Sequence, residues 1–280
     1  MERREFIAKS ALSLIAASVG VGAASSVLGE VTDPLPVKMH PKSGSRPTLA
    51  FVLYPGMTPL DIVGPANALG GDEFHVEFVW RNLQPVATEQ PFVQFRPTTT
   101  FSQLRHVDLL CITGTGNPYA LLNEFEMLDW LHNVGSKAEW VTSVCTGSIL
   151  LGAAGLLQGY NATTHWSMID DLKSYGATPS NDRVVIDRNR MTGGGVTAGI
   201  DFGLTLRAKL LGEQSAEYAQ LMMQYDPQPP FHSGTPQQAP AAIVKAAREM
   251  IVGMVAEETP DWQQRLSASA ARMQQRYAKT

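Results

Sequence analysis

Residues 139–154 read E-W-V-T-S-V-C-T-G-S-I-L-L-G-A-A, and the fold is decided within them. Trp140–Val144 is a short, valine-rich run that suits a strand. Cys145 ends it, three small residues follow (Thr146, Gly147 and Ser148), and Ile149-Leu150-Leu151 begins a helical pattern. A strand that stops at a cysteine and restarts as a helix within three residues predicts a nucleophile elbow. A thiol placed there faces free backbone amides and the positive end of the helix dipole, which favours the thiolate. A small buried residue at a strand end would read the same way, since free cysteine is often buried. These residues alone leave both readings open.

Working outward, residues 48–54 (TLAFVLY) and 107–113 (VDLLCIT) are near-continuous apolar runs, as expected of parallel strands buried on both faces. His75–Trp80 is a further strand, and residues 85–100 alternate loosely, as in a hairpin or an edge excursion. Thr58-Pro59-Leu60-Asp61 opens a helix to about residue 69, with threonine at the N-cap, proline at N1 and an acid at N3. Gly114, Thr115 and Gly116 precede a helix over about 119–133. Gly155 and Gly159 break the elbow helix, and residues 165–175 read as another. Arg188-Asn189 turns a tight hairpin, and Gly193-Gly194-Gly195 leads to a helix capped by Thr197 and ending at Leu211. A helix follows over about 215–224, then a five-proline extended segment over 226–240 and two helices at about 241–256 and 261–277. This alternation predicts an α/β three-layer sandwich with a mainly parallel sheet. Ligand sites in such sheets lie outside the carboxyl ends of the strands. Asp61, the 114–116 loop and Cys145 each follow a strand, so the fold would bring them to one rim.

The chain has 280 residues, 44% hydrophobic and 17% charged, with a net charge of −4. That suits one good-sized globular domain and argues against a nucleic-acid partner. Two cysteines, Cys111 and Cys145, make no disulfide framework, and no Cys/His spacing suits a metal. Arg3-Arg4 followed by an apolar, small-residue stretch over 11–24 resembles a twin-arginine export signal. That stretch is shorter than the roughly 20 residues of a membrane span. The expected organisation is a signal peptide over 1–24, a linker over 25–45, a domain over 46–240 and C-terminal helices over 241–280 packed on it. A periplasmic location follows, with a cytoplasmic one as the alternative, and no stable membrane insertion.

Each candidate residue carries two readings. Asp61 serves as an acid/base beside Cys145, or simply completes the capping box. Thr146 donates its amide or hydroxyl to a developing anion, or caps the helix. Gly114 and Gly116, with Thr115 between them, offer amides to substrate or make a tight turn. His165 orients or deprotonates the thiol, or caps and packs at a helix start. Cys111, mid-strand among leucine and isoleucine, reads as structural.

Residues 54–65 (YPGMTPLDIVGP), 142–157 (TSVCTGSILLGAAGLL), 162–166 (ATTHW), 192–206 (TGGGVTAGIDFGLTL) and the proline-rich 225–240 together resemble the ThiJ/PfpI superfamily. Its fold is flavodoxin-like and related to the class I glutamine amidotransferases. Within it, T-x-L-D-x-x-G-P with V-C-T-G-S looks like the branch that hydrates isonitriles to N-substituted formamides. The resemblance implies Cys145 as nucleophile, Asp61 as acid/base and Thr146 as a supporting residue. It also implies a small-molecule substrate, no cofactor and a homodimer. Threonine follows the cysteine where the superfamily's proteases usually carry histidine, and His165 lacks the glutamate two residues on that amidotransferases need. The alternatives are a 2-oxoaldehyde hydratase of the glyoxalase-like branch and a non-catalytic small-molecule-binding domain. Regulators of the latter kind carry a DNA-binding module, but only roughly 40 residues follow Pro240 here, without a clear basic recognition helix.

Overall fold

A computed structural model describes residues 46–277; the expected signal and linker, residues 1–45, lie outside the described residues. The fold is built on a seven-stranded sheet. Its strands in chain order are β1 (Thr48–Val52), β2 (His75–Trp80), β5 (Thr99–Thr100), β6 (Leu109–Ile112), β7 (Trp140–Val144), β10 (Val184–Asp187) and β11 (Arg190–Gly193). The missing numbers belong to two small pairs: β3 (Val86–Ala87) with β4 (Gln94–Phe95), and β8 (Asn161–Ala162) with β9 (Thr178–Pro179). Across the sheet the order is β10-β11-β7-β6-β1-β2-β5. All pairings are parallel except the β10–β11 hairpin, which turns at Arg188-Asn189 as expected, with Arg188 at φ 54°. Residues 85–100, expected as a hairpin or an edge excursion, form the β3–β4 hairpin and then the edge strand β5.

Period-two alternation assigns the two faces. Leu49 and Phe51 of β1, with Leu109 and Cys111 of β6, pack beneath α1 (Leu60–Leu69) and α4 (Ala198–Leu211). Ala50, Val52, Leu110 and Ile112 face the other layer. That layer holds α2 (Phe125–Gly135), α3 (Gly147–Ala153) and, through Met273, the C-terminal helix α7 (Trp262–Arg276). This is the three-layer sandwich. The helix expected over 119–133 is two pieces, a 3₁₀ turn Pro118–Asn123 and then α2, broken at Glu124 by non-helical backbone. Residues 165–175 form 3₁₀ turns over Trp166–Tyr175. Two more helices, α5 (Glu213–Met222) and α6 (Ala241–Glu258), precede α7. Among the described residues no helix is long and apolar enough to cross a membrane.

The chain starts in the middle of the sheet at β1, moves out to β2 and β5, then returns to β6 on β1's other side. Such a reversal opens a crevice at the carboxyl ends of the two central strands. Asp61 follows β1, Gly114 follows β6 and Cys145 follows β7, so all three reach this crevice.

Candidate active site

Cys145 takes a left-handed backbone, φ 55°, between β7 and α3. For a non-glycine residue this costs on the order of 1–3 kcal/mol and persists only where neighbours enforce it. Here its N–H donates to the carbonyls of Gly193 and Gly194, both at 3.0 Å. Its carbonyl accepts from Thr164 Oγ1 at 3.0 Å and Ser148 Oγ at 3.2 Å. Four bonds therefore fix the elbow, and the sulfur is turned towards the crevice.

Asp61 is fully buried at the start of α1. The capping-box spacing is present, but the box does not form. Thr58 Oγ1 donates to Glu89 Oε2 at 3.0 Å, and Asp61 Oδ2 accepts the Gly114 N–H at 2.8 Å. The cap found a partner from the β3–β4 hairpin that local sequence does not reveal. Asp61 Oδ1 is buried with no partner at normal hydrogen-bond geometry. The Cys145 thiol lies within hydrogen-bonding reach of the carboxyl. Burial raises the Asp61 pKa from 3.8 to about 7; the Gly114 amide opposes this, the Glu89 charge adds to it, and the thiol lowers it slightly.

Burial also pushes the Cys145 thiol well above its ordinary range, and the Asp61 charge pushes it further. The amides of Val196 and Thr146 point at the sulfur and oppose the shift. The thiolate expected from the helix N-terminus is therefore not the resting form. α3 has only seven residues, and desolvation outweighs its amides. Both shifts favour the protonated thiol, and the Asp61 carboxyl is the proton acceptor within reach of it.

Gly114 explains why the loop is glycine. A Cβ there would lie 2.6 Å from the Thr146 nitrogen, 2.7 Å from Cys145 Cβ and 2.9 Å from Asp61 Oδ2. All three groups converge on one point, which only a hydrogen can occupy. Thr146 clamps the same loop: its hydroxyl donates to the Thr115 carbonyl at 2.7 Å and accepts the Thr115 N–H at 2.8 Å. The hydroxyl is thereby committed, leaving the Thr146 amide as the group that faces the sulfur. Thr115 Oγ1 in turn donates to the Gly56 carbonyl at 2.8 Å. Tyr54, fully buried, donates to the Thr113 carbonyl and steadies the strand end before the loop.

A cavity of about 200 Å³ opens beside the sulfur. Cys145, Thr146, Thr115, Gly116 and His165 line it, as do Glu89 and Val196, which sequence reasoning did not single out. His165 Nδ1 is engaged by Ser167, with the hydroxyl at 2.7 Å and the amide at 3.4 Å. It thus serves as the cap of the 3₁₀ turn while its ring forms a cavity wall, and burial lowers its pKa. Cys111 stays in the helix-side core, with its thiol raised to about 12 by burial. Among the described residues no group of His, Cys, Asp and Glu could hold a metal ion.

A cysteine on a strained elbow, a protonatable carboxyl beside it and amides around the sulfur define a cysteine-dependent α/β site. The chain belongs to the DJ-1/PfpI family, whose model matches residues 48–209. It is 46% identical over 202 residues to an isonitrile hydratase of Pseudomonas putida, covering 72% of this chain and 88% of that protein. It is also 29% identical to the HTH-type transcriptional regulator CdhR of Pseudomonas aeruginosa, spanning 51% of that longer protein. A ThiJ/PfpI family protein from Pseudomonas syringae superposes with a TM-score of 0.77 at 38% identity, over 88% of this chain and 97% of that one.

Proposed function

We propose that the protein hydrates an isonitrile, R–N≡C, to the formamide R–NH–CHO. The observation that carries this reading is the Cys145–Asp61 pair, poised at Gly114 beside a small cavity, in a chain 46% identical to an isonitrile hydratase. Asp61 takes the thiol proton as Cys145 attacks the terminal carbon. The proton is then delivered to that carbon, giving the thioimidate R–N=CH–S-Cys145. The Asp61 carboxylate next activates water against the same carbon. Nitrogen gains a proton, the C–S bond breaks, and the sulfur leaves with its proton restored. One water is consumed and no electrons are exchanged. The amides of Thr146 and Val196 hold charge on sulfur while the proton resides on Asp61. Thr146 Oγ1 keeps the 114–116 loop in register with the elbow.

Two further readings complete the proposal. Arg3-Arg4 and the apolar stretch after them support export by the twin-arginine route to the periplasm. The exposed apolar side chains of Ile243, Met250 and Val252 on α6 support a homodimer. The test is turnover of cyclohexyl isocyanide to N-cyclohexylformamide by the purified protein. Activity lost in Cys145→Ala and in Asp61→Ala supports the chemistry; wild-type rates in either variant rule it out. Consumption of methylglyoxal without isonitrile turnover would move the protein to the oxoaldehyde branch.

A further inference from the structure

The roof of the catalytic cavity comes from a part of the chain beyond the family match. That match ends at residue 209, whereas α6 begins at Ala241. Ile251 and Met254 of α6 line the cavity together with Met168. Three residues apart, Ile251 and Met254 share one helix face. Met254 Cε lies 3.1 Å from where a Cβ on Gly116 would stand, so the helix rests directly on the loop that follows β6. Its position is fixed at two places. The Arg248 guanidinium sits over the Trp166 ring at 5.1 Å. Asn117 Nδ2 donates to Glu258 Oε2 at 3.0 Å and to Thr259 Oγ1 at 2.9 Å.

The polar side of the cavity offers little to a substituent. Its four hydroxyls are engaged already: Thr58 with Glu89, Thr115 with Gly56, Thr146 with Thr115, and Ser167 with His165. A hydroxyl-bearing substituent would therefore have to compete with these existing bonds for the four hydroxyls. The acid Glu89 in the wall disfavours an anion. At about 200 Å³ the space also falls below the roughly 300–1,000 Å³ of pockets for drug-sized ligands.

We infer that α6 is the specificity element of this site: Ile251 and Met254, with Met168, form an apolar subsite that takes the hydrocarbon substituent of the isonitrile and restricts it to a compact, non-anionic group. This rests on the hydratase reading. It assigns the two jobs of the site to different parts of the chain. The central strands and the elbow carry the sulfur and the carboxyl, and α6, later in the chain, chooses what reaches them.

The test compares kcat/KM for methyl, cyclohexyl and 1-adamantyl isocyanide in wild type, Met254→Ala, Ile251→Ala and Met254→Gln. Removing a few methylene-sized groups from a specificity pocket shifts discrimination by about tenfold or more. The 1-adamantyl to cyclohexyl ratio is therefore expected to rise by about that factor in Met254→Ala and Ile251→Ala. Met254→Gln, close to methionine in shape, is expected to raise KM for cyclohexyl isocyanide about tenfold with kcat held, the signature of lost uniform binding. Methyl isocyanide is expected to change least. Equal changes for all three substrates, or unchanged ratios, would overturn the inference. Should wild type turn over no isonitrile, the hydratase reading falls. The subsite is then judged by calorimetry of N-cyclohexylformamide with Cys145→Ala and with Cys145→Ala/Met254→Gln. Weaker binding by the double variant sustains the subsite, and equal affinity removes it.

Discussion

Cys111 stands on β6 and Cys145 just past the end of its parallel neighbour β7; both are buried, and burial raises the pKa of both thiols. By those measures alone Cys145 is the less reactive, since its thiol is raised further. What separates the two is where each strand leaves its residue. Cys111 lies within β6, its side chain among Phe51, Leu109 and Phe202 under the α1/α4 layer. Cys145 lies one residue past the end of β7, at a strained turn, with two amides, a carboxyl of pKa about 7 and a cavity beside it. A low thiol pKa is not what makes the site. What Cys145 has and Cys111 lacks is a proton acceptor within reach and a space in which a substrate can meet the sulfur.

The largest effect expected is therefore an asymmetric one. Cys145→Ala abolishes isonitrile turnover, a drop of at least ~10³-fold because the covalent route disappears, whereas Cys111→Ala turns over cyclohexyl isocyanide at wild-type rates. Comparable losses in steady-state assays of the two variants would erase the distinction.

Next comes Asp61→Asn, which keeps an acceptor for the Gly114 amide but cannot take a proton. A general acid/base contributes about 10²–10⁴-fold, so kcat is expected to fall by that order. On the proposed mechanism the active form in wild type is the pair carrying one proton. kcat/KM should therefore rise with pH through about 7, where the second proton leaves, and that limb belongs to the coupled pair. Stability moves the opposite way. Asp61's folded pKa of about 7 stands above its ordinary 3.8, so the carboxyl's stabilising contribution is complete below pH 4 and is lost as pH rises through 7. Asp61→Asn should consequently be more stable than wild type at pH 8, by on the order of a few kcal/mol of unfolding free energy, with the advantage vanishing near pH 4. Thermal melts at the two pH values read this directly.

Gly114→Ala sharpens the geometric half of the contrast. A methyl there meets the Thr146 nitrogen, Cys145 Cβ and Asp61 Oδ2, all within 3.0 Å. Displacement of about 1 Å in a catalytic array costs about 10²-fold, and kcat should fall accordingly while β6 and β7 remain folded by circular dichroism. The smallest effect is the stability cost of Cys111→Ala, about 1–2 kcal/mol for a small truncation in a packed core, read as a shift in urea midpoint.

The same contrast shows what the sequence alone makes legible. The apolar runs of β1, β6 and β7 are continuous because both faces are covered, so the parallel sheet and the rim holding Asp61, Gly114 and Cys145 can be read from them. The elbow is visible because small residues must follow a cysteine whose backbone turns so sharply. The ionisation of Cys145 is not visible, because a local helix start says nothing of how deeply the sulfur is desolvated. Thr58 has the spacing of a cap, yet its hydroxyl goes to Glu89, which arrives from the β3–β4 hairpin. The Val196 amide, and Ile251 and Met254 on α6, reach the cavity from loops and helices far along the chain. No periodicity encodes those meetings; they are products of packing.

The most direct measurement is a rapid quench of the wild-type enzyme during turnover of cyclohexyl isocyanide, followed by peptide mapping. The expected result is the mass of one substrate molecule on the peptide carrying Cys145, none on the peptide carrying Cys111, and a slower build-up of the adduct in Asp61→Asn. Formamide released with no adduct on Cys145 at any time point, or an adduct on Cys111, would contradict it.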